Sequence, residues 1–192
     1  VDGGQFARPH PRPMFPNPPG LLRLEPYSEG LRERIWWGAA SDSTARWAAA
    51  AGMNLMSSTL KADESGEPLH IQQRAQIEAF RDEWGRHDHG FEPRVAVTRS
   101  IVAITSDVDR RYFLSGTDRH DRFGHIEPGL RAVFGRSYTA EPDVLAEQLA
   151  GDEAINAADT LLITVPTQLG VEYNVHLLKS ILTHVAPALG WR

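Results

Sequence analysis

Ile35-Trp36-Trp37-Gly38-Ala39-Ala40-Ser41-Asp42-Ser43-Thr44-Ala45-Arg46-Trp47 changes character at its middle. Arg34 to Gly38 is β-branched and aromatic, which predicts a strand. Gly-Ala-Ala breaks it, and Ser41-Asp42-Ser43-Thr44 then supplies helix-initiating side chains ahead of an alanine-rich run to Ala51. Strand, tight turn and helix follow one another within eighteen residues. Gly52 is placed to cap the helix, and Met53 to Thr59 reads as a second short buried strand.

The same alternation continues towards the C-terminus. Leu60 to Pro68 is an acidic, glycine-containing connection. Ile71, Ala75, Ile77, Ala79, Phe80 and Trp84 then form the apolar stripe of a helix that ends near Gly85. Arg94 to Ile104 is apolar and β-branched, as expected of a strand covered on both faces. Asp107 to Thr139 is polar and punctuated by glycine, and reads as short helices and loops. A helix from Glu141 leads to a fourth strand, Asp159 to Pro166, and an amphipathic helix runs on through His184. Four successive β/α units require a parallel α/β sheet, either doubly wound or closed into a barrel, because parallel neighbours are joined by helical crossovers. A complete eight-unit barrel takes about 250 residues, so four units would make half of one.

Ahead of this region, seven of the 13 prolines lie before Tyr27, and residues 1–33 read as a proline-rich extended linker. The 192-residue chain has a formal charge of -5 with no block of Lys or Arg, which argues against nucleic-acid and anionic-membrane partners. It lacks both an apolar run of about 20 residues and the layout of a signal peptide, so a cytoplasmic protein is expected. With no cysteine, disulfides, thiolate metal sites and cysteine nucleophiles are excluded together. No Gly-x-Gly-x-x-Gly, Walker sequence or nucleophile elbow is present.

The strand-turn-helix is where chemistry is expected. A helix N-terminus exposes unpaired N–H groups and the positive end of its dipole, and Ser41, Ser43 and Thr44 add hydroxyls, a combination suited to a phosphate. The competing reading is that Ser41 or Ser43 only caps its own helix. Other constellations are assigned plainer roles. His87-Asp88-His89 and the group Asp118, His120, Asp121 and His125 sit in polar loops and are not predicted to hold a metal. His176 and His184 read as partly buried structural residues, and Asp159 as a turn residue. Arg94 and Arg99, within or at the mouth of a strand, could offset a phosphate or substrate charge, but an edge or loop-facing salt bridge is the favoured reading. Trp36, Trp37 and Trp47 read as packing residues.

Taken with its continuation Ala48-Ala49-Ala50-Ala51-Gly52-Met53-Asn54-Leu55-Met56-Ser57, the opening stretch resembles the fifth strand, turn and helix of the bacterial luciferase-like flavin-dependent monooxygenases. Ala158 to Pro166 and Val185 to Arg192 resemble that family's last strand and last helix. The resemblance spans Pro26 to Arg192 and implies that residues 34–192 form the C-terminal half of a luciferase-like β/α barrel. It further implies that Ser41 and Thr44, with backbone N–H groups near Ala40 and Asp42, hold the phosphate of FMN. Asn54, Met56, Ser57 and Ser58 would then lie towards the flavin ring. The acidic residue that precedes the serine in light-emitting members is Ala40 here, a departure that speaks against bioluminescence.

The implied reaction uses reduced FMN from a separate flavin reductase and O₂ to oxidise a small organic substrate. No catalytic acid or base is assigned within this half, and the isolated chain is expected to lack full competence. A deazaflavin-dependent oxidoreductase of the same fold and a non-catalytic flavin-binding or dimerisation module are the alternatives. An open half-barrel would pair with its missing N-terminal half or with a copy of itself as an oligomer. The absence of an initiating Met suits a cut or processed parent.

Overall fold

A computed structural model of the protein describes residues 28–63, 65–115 and 120–191. The chain divides into Val1–Arg32 and Glu33–Arg192. Most of the proline-rich segment lies outside the described residues, and the fold below is that of the second unit.

A single helical turn, α1 (Leu31–Arg34), leads into β1 (Trp36–Gly38), followed by α2 (Asp42–Ala50), β2 (Asn54–Ser57), β3 (Leu60–Ala62), α3 (Leu69–Trp84) and β4 (Val95–Ala103). Then come α4 (Asp107–Phe113), β5 (Arg122–Glu127), β6 (Leu130–Phe134), β7 (Ser137–Ala140), α5 (Pro142–Ala150), α6 (Glu153–Ala157), β8 (Thr160–Thr164) and α7 (Gly170–His184). The four predicted strands therefore form as β1, β2, β4 and β8.

All pairings in the main sheet are parallel. β1 pairs with β2 (Trp37 beside Leu55), and β2 with β4 (Leu55 beside Val95). On the other side β4 pairs with β8, from Ala96 beside Thr160 to Ser100 beside Thr164. Since Ala96 and Val97 serve both partners, β2 and β8 must occupy opposite edges of β4. Ser100 pairs with Ser137 as well as Thr164, so β7 continues along the β2 edge past the end of that strand.

Side-chain alternation divides the sheet into unlike faces. Leu55, Val95 and Val97 pack with Ala45, Ala48 and Ala49 of α2, Ile77 and Phe80 of α3, and Ala154 and Ala157 of α6. Ile101 and Ala103 on the same face meet Leu145 and Leu149 of α5 and Ile181 of α7. The opposite face carries Met56, Ala96, Thr98, Ser100, Thr160, Leu162 and Thr164, of which Leu162 and Thr164 are exposed. That face is covered at the end of β4, where Val102 and Ile104 pack with Leu177 of α7, Phe113 and Leu114. A doubly wound sheet buries both faces under helices; among the described residues this one carries helices along one face and, on the other, only at the end of β4.

Two regions depart from the expectations. Asp107 to Thr139, expected as short helices and loops, forms α4 and then three strands. β5 and β6 make an antiparallel hairpin that turns at Gly129, where φ is +86°. β3, expected as part of an irregular connection, pairs antiparallel with β6 to complete a three-stranded sheet. The chain returns to the main sheet at Gly135, whose N–H donates to the Thr59 carbonyl at 2.7 Å. A Cβ there would stand 2.7 Å from a Leu69 methyl and 3.3 Å from the Thr59 carbonyl oxygen, so any other residue would push the Leu69 side chain aside. The expected stripe of α3 is also altered: Ala75 faces solvent, while Gln72, Gln73 and Gln76 are buried.

Candidate functional site

Because β1 and β4 are parallel, the turns that follow them emerge at the same end of the sheet, the end at which α/β folds place ligands. The β1–α2 turn is braced from below by those buried glutamines. Gln76 Nε2 donates to the carbonyls of Ala39 (3.3 Å) and Ser41 (3.1 Å). Ser57 Oγ donates to Gln76 Oε1 (2.6 Å) and accepts from Gln73 Nε2 (2.9 Å), which also reaches the Ser58 carbonyl (2.6 Å). The Ala62 N–H binds the Ala40 carbonyl at 2.7 Å. With its carbonyls drawn towards α3 and β3, the turn presents its N–H groups and hydroxyls at the helix start.

Ser41 is the N-cap of α2, with extended backbone (φ -139°, ψ 160°), and its Oγ accepts the Thr44 N–H at 3.2 Å. The same Oγ lies 2.7 Å from Thr44 Oγ1 and 3.0 Å from Ser43 Oγ. Three hydroxyls thus gather at a helix N-terminus. An acid in this first turn would repel an anion, but Asp42 Oδ1 lies 3.1 Å from Nζ of Lys61, a side chain only 2% exposed. A buried ammonium beside the turn offsets the Asp42 charge and keeps the local field suited to an anion.

The predicted residues are only partly brought together. Ala40, Ser41, Asp42 and Thr44 share the turn. Met56 alternates onto the open side of β2, whereas Ser57 points to α3 and is bound to Gln73 and Gln76. Successive side chains of a strand alternate, so Ser57 does not share the outlook of Met56; Ser58 follows the strand. Asn54 donates to the carbonyls of Glu33 (2.8 Å) and Ile35 (3.2 Å) and accepts from the Arg94 N–H (2.9 Å), a brace across the strand starts.

Arg99 lies within β4 and forms a salt bridge, but a buried one and not one at an edge or in a loop. Its Nε and Nη2 donate to both Asp152 oxygens, at 2.7 and 3.0 Å, beneath the helices, with the two side chains 4% and 0% exposed. Tyr138 adds a 2.7 Å bond to the same carboxylate. Burial works against the Asp152 charge, but Arg99 and Tyr138 hold the carboxyl below its ordinary range. Arg94 stacks over Trp36 at 4.9 Å. His87 pairs with Glu83 (3.1 Å), and His89 with the Ala49 carbonyl (2.8 Å). Asp118 lies outside the described residues; Asp121 caps the Leu69 and Arg136 N–H groups.

Sequence reasoning missed a second cluster, at the β4–α4 turn. The fully buried Asp109 accepts from the Thr105 N–H (3.0 Å) and hydroxyl (3.2 Å), the Ser106 N–H (2.9 Å), Tyr173 OH (2.6 Å) and His176 Nε2 (2.9 Å). Burial alone would push this carboxyl up; the donors, led by Tyr173, outweigh it and hold it at about 2. The Tyr173 phenol is pushed up by burial and by its bond to the carboxylate. The ionised Asp109 orients the His176 ring through Nε2, on a side chain 39% exposed. The signal that could have found the cluster is Ser106-x-x-Asp109, the spacing of a capping box directly after a strand. Its partners on α7 lie more than sixty residues away and leave no such trace.

No family model matches the sequence, and no curated protein is significantly similar to it. Among solved structures the chain is similar to the monooxygenase RslO1 from Streptomyces bottropensis, at 15% identity and a TM-score of 0.49. The match covers 81% of this chain and 48% of that one, so the chain spans about half the neighbour's length. Among the described residues no helix is long and apolar enough to cross a membrane.

Proposed function

We propose that this chain is the C-terminal half of a luciferase-like flavin-dependent monooxygenase and that its β1–α2 turn holds the phosphate of FMN. The observation that carries this reading is the convergence of the Ser41, Ser43 and Thr44 hydroxyls at the N-terminus of α2, at the ligand-bearing end of a parallel sheet. The helical layer along one face supports it further. A barrel wall has helices outside and side chains packed against other strands inside, and the face with Met56, Thr98 and Leu162 is the one left for the rest of a barrel.

The residues present fit the group. Ser41, Ser43 and Thr44 would bind phosphate oxygens through hydroxyls and first-turn N–H groups. Lys61 would keep Asp42 from opposing the anion. Gln76 would fix the turn by holding the Ala39 and Ser41 carbonyls. When bound, reduced FMN from a separate reductase supplies the reaction of O₂ with a small organic substrate. The N-terminal half would contribute the remaining contacts.

An anaerobic titration of the chain with reduced and oxidised FMN, beside riboflavin and a deazaflavin cofactor, tests the assignment. Micromolar FMN binding is expected, weaker by about tenfold for Ser41→Ala, the loss of one charge-assisted bond, and by more for riboflavin, which lacks every phosphate contact. No binding by the folded chain, or equal affinity for FMN and riboflavin, would remove the phosphate from this turn.

A further inference from the structure

We infer that α7 is a self-association helix, pairing antiparallel with α7 of a second copy of this chain. The helix is apolar on two opposite sides. Leu177, Ser180 and Ile181 face the fold. On the far side Val171, Val175, Leu178 and Leu182 are 80%, 42%, 38% and 66% exposed. Their separations of four, three and four residues are those of a coiled-coil seam, and at 100° per residue the four lie within a narrow stripe. Scattered exposed apolar residues need no explanation, but a continuous stripe along one helix does.

Charge chooses the occupant. Glu172 and Lys179 lie on one flank of the stripe, both exposed, and neither forms an ion pair among the described residues. In an antiparallel pair centred on the stripe, Val171 meets the other copy's Leu182 and Val175 meets its Leu178. The same two-fold axis sets Glu172 of each copy near Lys179 of the other, so opposite charges meet twice. A parallel pair would face Lys179 with Asn174 and gain no such match. Four seam residues per copy bury less than the roughly 800 Å² per partner of a standard specific interface, so micromolar self-association is expected. The inference is independent of the flavin assignment, since it uses no residue of the β1–α2 turn.

Sedimentation equilibrium of the whole chain tests it. Wild type is expected to dimerise reversibly in the micromolar range. Leu178→Glu, which puts two charges into the seam, should weaken the dimer by at least about a hundredfold without loss of helical circular dichroism. Glu172→Lys should weaken it about tenfold, and adding Lys179→Glu should restore it, because the pairing is then reversed rather than lost. A monomer at all concentrations would mean that another protein segment covers the stripe and would overturn the inference. So would a dimer indifferent to Leu178→Glu, or a charge reversal that the second substitution fails to rescue.

Discussion

The turns after β1 and β4 share one capping plan and part most sharply at the third helical residue. Ser41 (φ -139°, ψ 160°) and Ser106 (φ -141°, ψ 164°) each cap a helix and each accept the N–H of the third helical residue at 3.2 Å. In the β4 turn that third residue is Asp109, whose carboxylate fills the helix N-terminus and collects donors from the turn and from α7. In the β1 turn it is Thr44, and only hydroxyls gather there. One cradle carries its own anion; the other has the donors without one. The same local chemistry anchors the fold in one place and, in the function we propose, holds a ligand in the other.

Removing the key residue from each turn should expose the difference most strongly. Asp109→Ala strips five donors of their acceptor and is expected to cost about 3–5 kcal/mol in urea denaturation. Ser41→Ala removes a cap and should cost about 1 kcal/mol. Equal losses would mean that folding depends on the β1 turn no less than on its counterpart.

Acid titration sharpens the contrast with a smaller effect. The Asp109 carboxyl sits at about 2 in the folded protein, against 3.8 ordinarily. A depressed folded value makes the unfolded chain bind the proton first. The stabilisation is therefore complete above about pH 4 and is lost as pH falls through the folded value near 2. About 2 kcal/mol should disappear over that window and be missing from Asp109→Asn. Asp152, also held low, titrates in the same direction in both proteins, so their difference isolates Asp109.

What the sequence disclosed follows from which forces are local. β1, β2, β4 and β8 were readable because their apolar runs are bounded by Gly, Pro or capping residues, and α2 because Ser41 announces its start. The β5–β6 hairpin was not readable, since β5 is exposed at nearly every position and shows no alternation of apolar and polar residues. Gln72, Gln73 and Gln76 defeated the helical stripe because their burial depends on partners in other segments, Asp63, Ser57 and the β1–α2 turn. Arg99 shows the same limit. Its placement in a strand was legible, but its alternation onto the helix side, where Asp152 waits, depends on register. Ser41 was legible as the start of α2, whereas Gln76 and Lys61, which brace that turn, come from α3 and β3.

The smallest expected effect tests the comparison most directly. Thr44→Asp gives the β1 turn the residue type that stands at the same point of the β4 turn, three positions after the capping serine. A carboxylate there can accept the Ser41 N–H and complement the helix dipole, and should stabilise the fold by about 0.5–1 kcal/mol in urea denaturation. It should at the same time weaken FMN binding by at least about tenfold, because the built-in anion occupies the place proposed for the phosphate; Thr44→Ser, which keeps the hydroxyl, should bind normally. Stabilisation with unchanged FMN affinity would place the phosphate elsewhere. Lost affinity without stabilisation would instead mean that the turn is shaped for a ligand but cannot accept an internal carboxylate, so that the likeness to the β4 turn ends at the backbone.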